Sequence, residues 1–224
     1  MAEVPRYIWE ILGFTALNVV INLTVKAVLR SKQFSKYHQQ RVPLYVISGL
    51  NAALSSSYGL WHFASGASGA PADIQRLRSR ICLAYVTGYF AQDLLFIIPL
   101  WKEYRLDIFH HLLGISLGVM VSAANDQIYA DIPYFALQEL STIPLNLMWL
   151  SKQFPSTFGQ VVPQQANKML FALLFFVTRV IIWPARFAVR FQDYHPVLAL
   201  LLAVFTALQL YWFVFIVKKA IGKG

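Results

Sequence analysis

Charge is scarce in this sequence. Only 13% of its 224 residues are Asp, Glu, Lys or Arg, against roughly 25% in an ordinary soluble domain. That shortage excludes a soluble globular chain of usual composition. Acidic residues are the rarest charged type, 10 against 19 Lys and Arg. Cysteine occurs once, at Cys82, which excludes an intrachain disulfide and a cysteine-based zinc site. Five histidines are too few for the histidine-rich membrane di-iron enzymes. A G-x-S-x-G elbow and a glycine-rich phosphate loop are both missing. Serine-hydrolase, P-loop and dinucleotide chemistries lose their sequence basis with them. Low-complexity tracts and internal repeats are also absent.

Apolar residues are abundant instead: 58% of the chain is hydrophobic, 15% is aromatic, and the mean hydropathy is +0.53. This places the chain in the polytopic membrane class. The expected fold is all-α, a helical bundle with about seven transmembrane helices in a single membrane domain over residues 1–224. A bilayer crossing takes ~20 helical residues, and seven apolar runs qualify, near 8–29, 42–64, 81–101, 107–124, 128–150, 166–187 and 196–217. The first run reads as a retained helix rather than a cleaved leader. Segment 64–80, rich in Gly, Ser, Pro and charge, is the most linker-like stretch. Pro43 and Pro196 fit helix starts. Pro99, Pro133, Pro144 and Pro184 predict kinks or ends.

The net charge of +9 falls mostly between the apolar runs. It reads as membrane topology and attraction to anionic headgroups rather than nucleic-acid binding. With the N-terminus lumenal and the C-terminus cytosolic, Arg30, Lys32, Lys36, Arg41, Lys102, Arg105, Lys152, Lys218, Lys219 and Lys223 lie inside. Arg6, Arg76, Arg78, Arg80, Arg186 and Arg190 then lie outside. The larger cationic share is cytosolic, as positive-inside orientation requires.

Polar residues at depth carry the functional information, because each is costly in hydrocarbon. In the second run Ser48, Asn51, Ser55, Gly59 and His62 recur at helical spacing. They form either a tight helix seam or a cavity wall. The third run places Asp93 near its middle, with Tyr85, Tyr89 and Gln92 on its face. The fourth opens with His110 and His111, and His110, Gly114, Gly118 and Ser122 form a groove of small residues below the histidine. That groove can admit a neighbouring helix or an acyl chain. The two rings point ~100° apart, so they cannot do the same job. In the fifth run Phe135, Glu139, Thr142, Asn146 and Trp149 form one face. The last two runs read mainly as walls, with Arg179 available to neutralise Asp93 or Glu139.

Histidine beside a carboxylate suits acid–base work or acyl transfer. His110 and His111 are the candidate catalytic groups, with Asp93 and Glu139 as orienting carboxylates. Tyr89, Gly114, Gly118, Thr142, Asn146 and Trp149 are candidate substrate-lining residues. A metal site built from the same groups is the weaker reading, because adjacent histidines splay apart on a helix.

The ordered segments "GYFAQDLL", "HHLLG" and "ELSTIPLNLMWL" resemble those of the TLC-domain family, which includes ceramide synthases. The third segment is most similar to the small transmembrane TLC-domain branch. The resemblance covers roughly residues 40–215, preceded by one N-terminal helix. It implies a six-helix core enclosing a lipid cavity, and a location in the endoplasmic reticulum or another endomembrane. It puts His110 and His111 on the catalytic histidine pair of ceramide synthases, with acyl-CoA as co-substrate, no bound cofactor and a long-chain base as acceptor. Gly114 stands where those enzymes have threonine. Gln138, Glu139 and Thr142 replace their His, Asp and second Asp, and Met148 replaces the arginine common in the small branch. The expected function is lipid metabolism or homeostasis, as an acyl-CoA-dependent acyltransferase acting on sphingolipid or phospholipid. The alternatives are a non-catalytic lipid-binding regulator or trafficking factor, and a transporter. The expected partners are membrane lipids and fatty acyl chains, with a homodimer left open.

Overall fold

The computed structural model describes residues 3–65, 71–122, 126–155 and 163–220. Among them every regular element is helical. Helix α1 spans Glu3–Ser31, α2 Lys36–Ala64, α3 Ala72–Ile97 and α4 Arg105–Ser122. Then come α5 (Ile132–Gln138), α6 (Thr142–Gln153), α7 (Gln164–Phe175), α8 (Trp183–Arg190) and α9 (Pro196–Ala220). Short 3-10 and π segments join α5 to α6 and α7 to α8, so these helices fall into seven rods that follow the seven apolar runs.

Several boundaries differ from the sequence expectation for physical reasons. Helix α2 begins at Lys36, not near Pro43, because the Ser35 hydroxyl caps it by accepting the His38 backbone N–H at 3.3 Å. Pro43 therefore lies inside the helix. Much of the supposed linker is helical too, since α3 starts at Ala72. Its residues 66–70 lie outside the described residues, as does Lys223. Pro99 falls in a 3-10 turn, Ile98–Leu100, that ends α3. Pro196 opens α9 as expected.

The fifth run is not one helix. Pro144 has no N–H to give the Leu140 carbonyl and its ring crowds that group. The chain responds with a 3-10 segment at Glu139–Ser141. Pro184 has the same effect on the sixth run. There the strain is taken up as a π segment, Phe176–Ile182, in which the Trp183 N–H donates to the Thr178 carbonyl five residues back.

Four stretches are long and apolar enough to cross a bilayer by themselves: Arg6–Ser31, Ala72–Leu100, Gln164–Asp193 and Pro196–Ala220. The remaining rods, α2, α4 and α5–α6, fall short because they carry the Ser, Asn, His and Glu residues that face inward. Asn51, Ser55, His110, His111, Gln138 and Ser141 are all buried. Interior polarity and outward hydrocarbon exposure mark a membrane bundle.

Helix α1 lies along α3 in the same direction. Glu10 pairs with Arg80 at 3.2 Å, and Thr15 donates to the Gly88 carbonyl at 3.2 Å. A Cβ at Gly88 would stand 2.8 Å from the Phe14 Cβ, so only glycine permits this approach. At the opposite end of the bundle from His110, Asp131 accepts from Arg186 Nε at 2.6 Å and from the Tyr194 hydroxyl at 2.9 Å. Burial, reinforced by Asp131, raises the Tyr194 phenol above its ordinary pKa and keeps it a donor. This clamp ties the start of α5 to the α8–α9 turn.

Candidate functional site

The site forms where α3, α4, α5 and α9 converge. Phe90, three residues before Asp93 on α3, is its pivot. Its ring stacks on His111 at 4.8 Å between centroids and meets His110 edge-on at 5.4 Å. It also occupies the space beside Gly114, where a Cβ would collide with the ring. Further along α4, Gly118 makes the same allowance for the Thr87 side chain. The small-residue groove of α4 is thus filled on one side by α3.

The two histidines diverge as their spacing requires. His111 turns toward α3, where its Nδ1 lies 3.3 Å from Asp93 Oδ2 and Tyr89 packs edge-on against its ring at 5.7 Å. The contact is at ion-pair distance, but its direction falls outside hydrogen-bond geometry. Asp93 Oδ1 is buried without a hydrogen-bond partner. His110 turns the other way, among Phe205 at 5.4 Å and Trp212 at 5.2 Å on α9. Its Nδ1 is likewise buried and unpartnered.

His110 lines a cavity of about 60 Å³. The wall is almost wholly apolar. Gly114, Gly118, Gln138 and Glu139 also line it, with Phe205 from α9. A dry apolar cavity of ~150 Å³ is needed to admit benzene. As it stands, this one is closed around a narrow slot, and a larger guest must displace side chains such as Phe90.

Glu139 has other partners than the histidines. Its Oε1 accepts from Arg179 Nη2 at 3.3 Å and its Oε2 from the Thr142 hydroxyl at 3.0 Å. Arg179, carried on the π segment, also donates from Nε to the Gln138 carbonyl at 3.2 Å and to Ser141 Oγ at 3.0 Å. Its Nη1 donates to Gln209 Oε1 at 2.9 Å. Arg179 therefore neutralises Glu139 and not Asp93. The last two rods are more than walls, because α9 supplies Gln209 and Phe205 to the interior.

The polar face expected along the fifth run splits at the 3-10 joint. Phe135, Gln138 and Glu139 stay at the cavity, while Thr142 joins the Arg179 network. Asn146 instead donates to Ser48 Oγ at 3.0 Å, and Trp149 stacks on Tyr45 at 3.9 Å. Asn146 and Trp149 belong to the α2–α6 seam, away from the cavity wall. The Ser48–Gly59 stripe of α2 packs against both halves of the fifth run, Ser48 meeting Asn146 of α6 and Gly59 lying so close to Pro133 and Leu137 of α5 that no Cβ fits, as its tight-packing reading anticipated. Tyr89 touches His111 but is not in the wall either. Among the described residues, no group of three or more His, Cys, Asp or Glu stands close enough to hold a metal ion.

A family model described as TLC domain matches residues 42–218. The chain belongs to the TLC-domain family. No curated protein and no solved structure matches it. Membership in the TLC-domain family carries a membrane role connected in general with lipid. The match begins after α1, so the family's segment contains every cavity-lining residue but not the helix that packs behind α3.

Proposed function

We propose that this TLC-domain protein holds the alkyl chain of a lipid in the α3–α4–α5–α9 slot and transfers an acyl group there. The observation that carries the reading is His110, which reaches an apolar cavity with a buried, unpartnered ring nitrogen while His111 and Asp93 pair behind it. In this scheme acyl-CoA is the donor and a lipid amine the acceptor. The thioester C–S bond breaks as an acyl–nitrogen bond forms at the His110 imidazole. The acceptor amine then takes the acyl group, and its proton leaves to the CoA thiolate. His111 and Asp93 position Phe90 and the adjoining imidazole rather than touch the acyl group. Glu139, already paired with Arg179, shapes the polar end of the slot. On this reading the His110 end faces the cytosol across an endomembrane such as the endoplasmic reticulum, where acyl-CoA is available, an orientation supported by the larger share of Lys and Arg on that side.

Purified protein supplied with acyl-CoA and a panel of long-chain amines tests this. An N-acyl product that disappears in His110→Ala, with expression and unfolding temperature intact, is the expected result. Undiminished product in His110→Ala overturns it. A second reading, a non-catalytic lipid-binding regulator of membrane composition, draws on the neutralised Glu139, which leaves His110 without a free carboxylate beside it. Co-purified lipid without turnover across the panel favours that reading.

A further inference from the structure

The slot is long for its volume. Its wall on α4 runs from His110 to Val121, about 16 Å at ~1.5 Å per residue. A cavity of about 60 Å³ lined over that length is a narrow cleft, which suits an alkyl chain entering as side chains such as Phe90 give way better than it suits a bulky headgroup. About 12 Å along it from His110, Thr87 of α3 faces Gly118 of α4 so closely that no Cβ fits between them. Two hydrogen bonds fix the Thr87 side chain. Its hydroxyl donates to the Leu83 carbonyl at 2.7 Å. With that single proton spent, the 3.1 Å contact to the Tyr7 hydroxyl has Tyr7 as the donor. Tyr7 is 1% exposed and sits on α1, outside the matched residues 42–218.

We propose that Thr87, pinned by Tyr7 and facing Gly118, is the constriction that sets how far an alkyl chain enters from the His110 end. The N-terminal helix thereby selects chain length in a slot built by the TLC domain. The proposal rests on the reading of the cavity as an alkyl-chain slot, but it needs no turnover. Its probe is a panel of free saturated fatty acids, from octanoate to behenate, offered to the full-length protein and read by native mass spectrometry.

Wild type is expected to bind up to a cutoff length. Thr87→Ala widens the constriction and shifts the cutoff to longer chains by several carbons. Tyr7→Phe frees the Thr87 rotamer and broadens the cutoff without moving it as far. Gly118→Ala drives a methyl into Thr87 and shortens the cutoff. If that variant does not fold, Thr87→Ala with Gly118→Ala removes the collision and still reports on the constriction. A cutoff unmoved in both folded Thr87→Ala and Tyr7→Phe overturns the proposal, as does a wild type that binds every length equally or none. A moving cutoff with no acyl transfer overturns the catalytic reading alone.

Discussion

Two acid–base pairs lie close to the cavity, and they are built differently. Arg179 and Glu139 have each charged nitrogen and oxygen hydrogen-bonded, to each other and to the Gln138 carbonyl, Ser141, Thr142 and Gln209, although the Gln138 side-chain amide and Gln209 Nε2 beside them lack partners. His111 and Asp93 sit 3.3 Å apart, with one carboxylate oxygen and the neighbouring His110 Nδ1 unpartnered. A buried charge that is fully hydrogen-bonded serves structure. Buried ionisable groups left short of partners cost free energy, and at a cavity they stand ready to meet a ligand. On the proposed reading, the fully paired charges at the Arg179 end belong to the architecture and the underpaired ionisable groups at the histidine end to the function.

Breaking the saturated pair tests that division most forcefully. Arg179→Met leaves Glu139 as an uncompensated buried carboxylate, and the expected loss is about 3–5 kcal/mol of stability. A thermal unfolding scan in detergent reads it as a large fall in Tm. Arg179→Met combined with Glu139→Gln is expected to restore most of that fall, and a double variant no better than the single one would break the comparison.

The unsaturated pair is expected to respond the other way. Asp93→Asn keeps the shape and one acceptor, so Tm stays nearly unchanged while product formation falls, because His111 loses the carboxylate that holds it in place behind His110. A steady-state assay alongside the unfolding scan separates the two. A Tm loss as large as that of Arg179→Met would place Asp93 with the architecture instead.

Gly114→Ala sharpens the boundary between the regions. Its methyl meets the Phe90 ring, and overpacking of this kind costs about 1–3 kcal/mol. Because Phe90 contacts both histidines, the variant is expected to lose lipid binding along with stability, and Gly114→Ala with Phe90→Leu to recover the stability. The smallest effect belongs to the α2–α6 seam. Asn146→Leu removes the hydrogen bond to Ser48 and is expected to cost about 0.6 kcal/mol, the average for interhelical polar contacts in a membrane. Lipid binding should be untouched, since the seam lies away from the slot.

Much of this arrangement was legible in the sequence. Hydropathy alone located the seven rods, and mid-run polarity found Asp93, His110, His111 and Glu139. The resemblance carried by "GYFAQDLL", "HHLLG" and "ELSTIPLNLMWL" named the family. What escaped depends on tertiary placement. Phe90 and Phe205 look like any lipid-facing aromatic until a neighbouring helix turns them inward. Thr87 and Tyr7 are ordinary residues on separate runs, and their hydrogen bond spans eighty positions. Gln209 did leave a signal, as a lone amide in an otherwise apolar final run. The single polar face of the fifth run was misread because an uninterrupted helix was assumed. Pro144 resets the helical phase at Glu139–Ser141, and Asn146 and Trp149 swing to α2.

The central claim is that His110 opens onto a slot for an alkyl chain. Photolabelling with a fatty acid carrying a diazirine along its chain tests it directly, with labelled peptides mapped by mass spectrometry. Adducts are expected on the inward faces of α3 and α4, at residues such as Thr87, Leu117 and Val121, and are expected to vanish when unlabelled fatty acid competes. Labelling confined to outward, lipid-facing residues such as Leu95, Leu112 and Leu200 would contradict it.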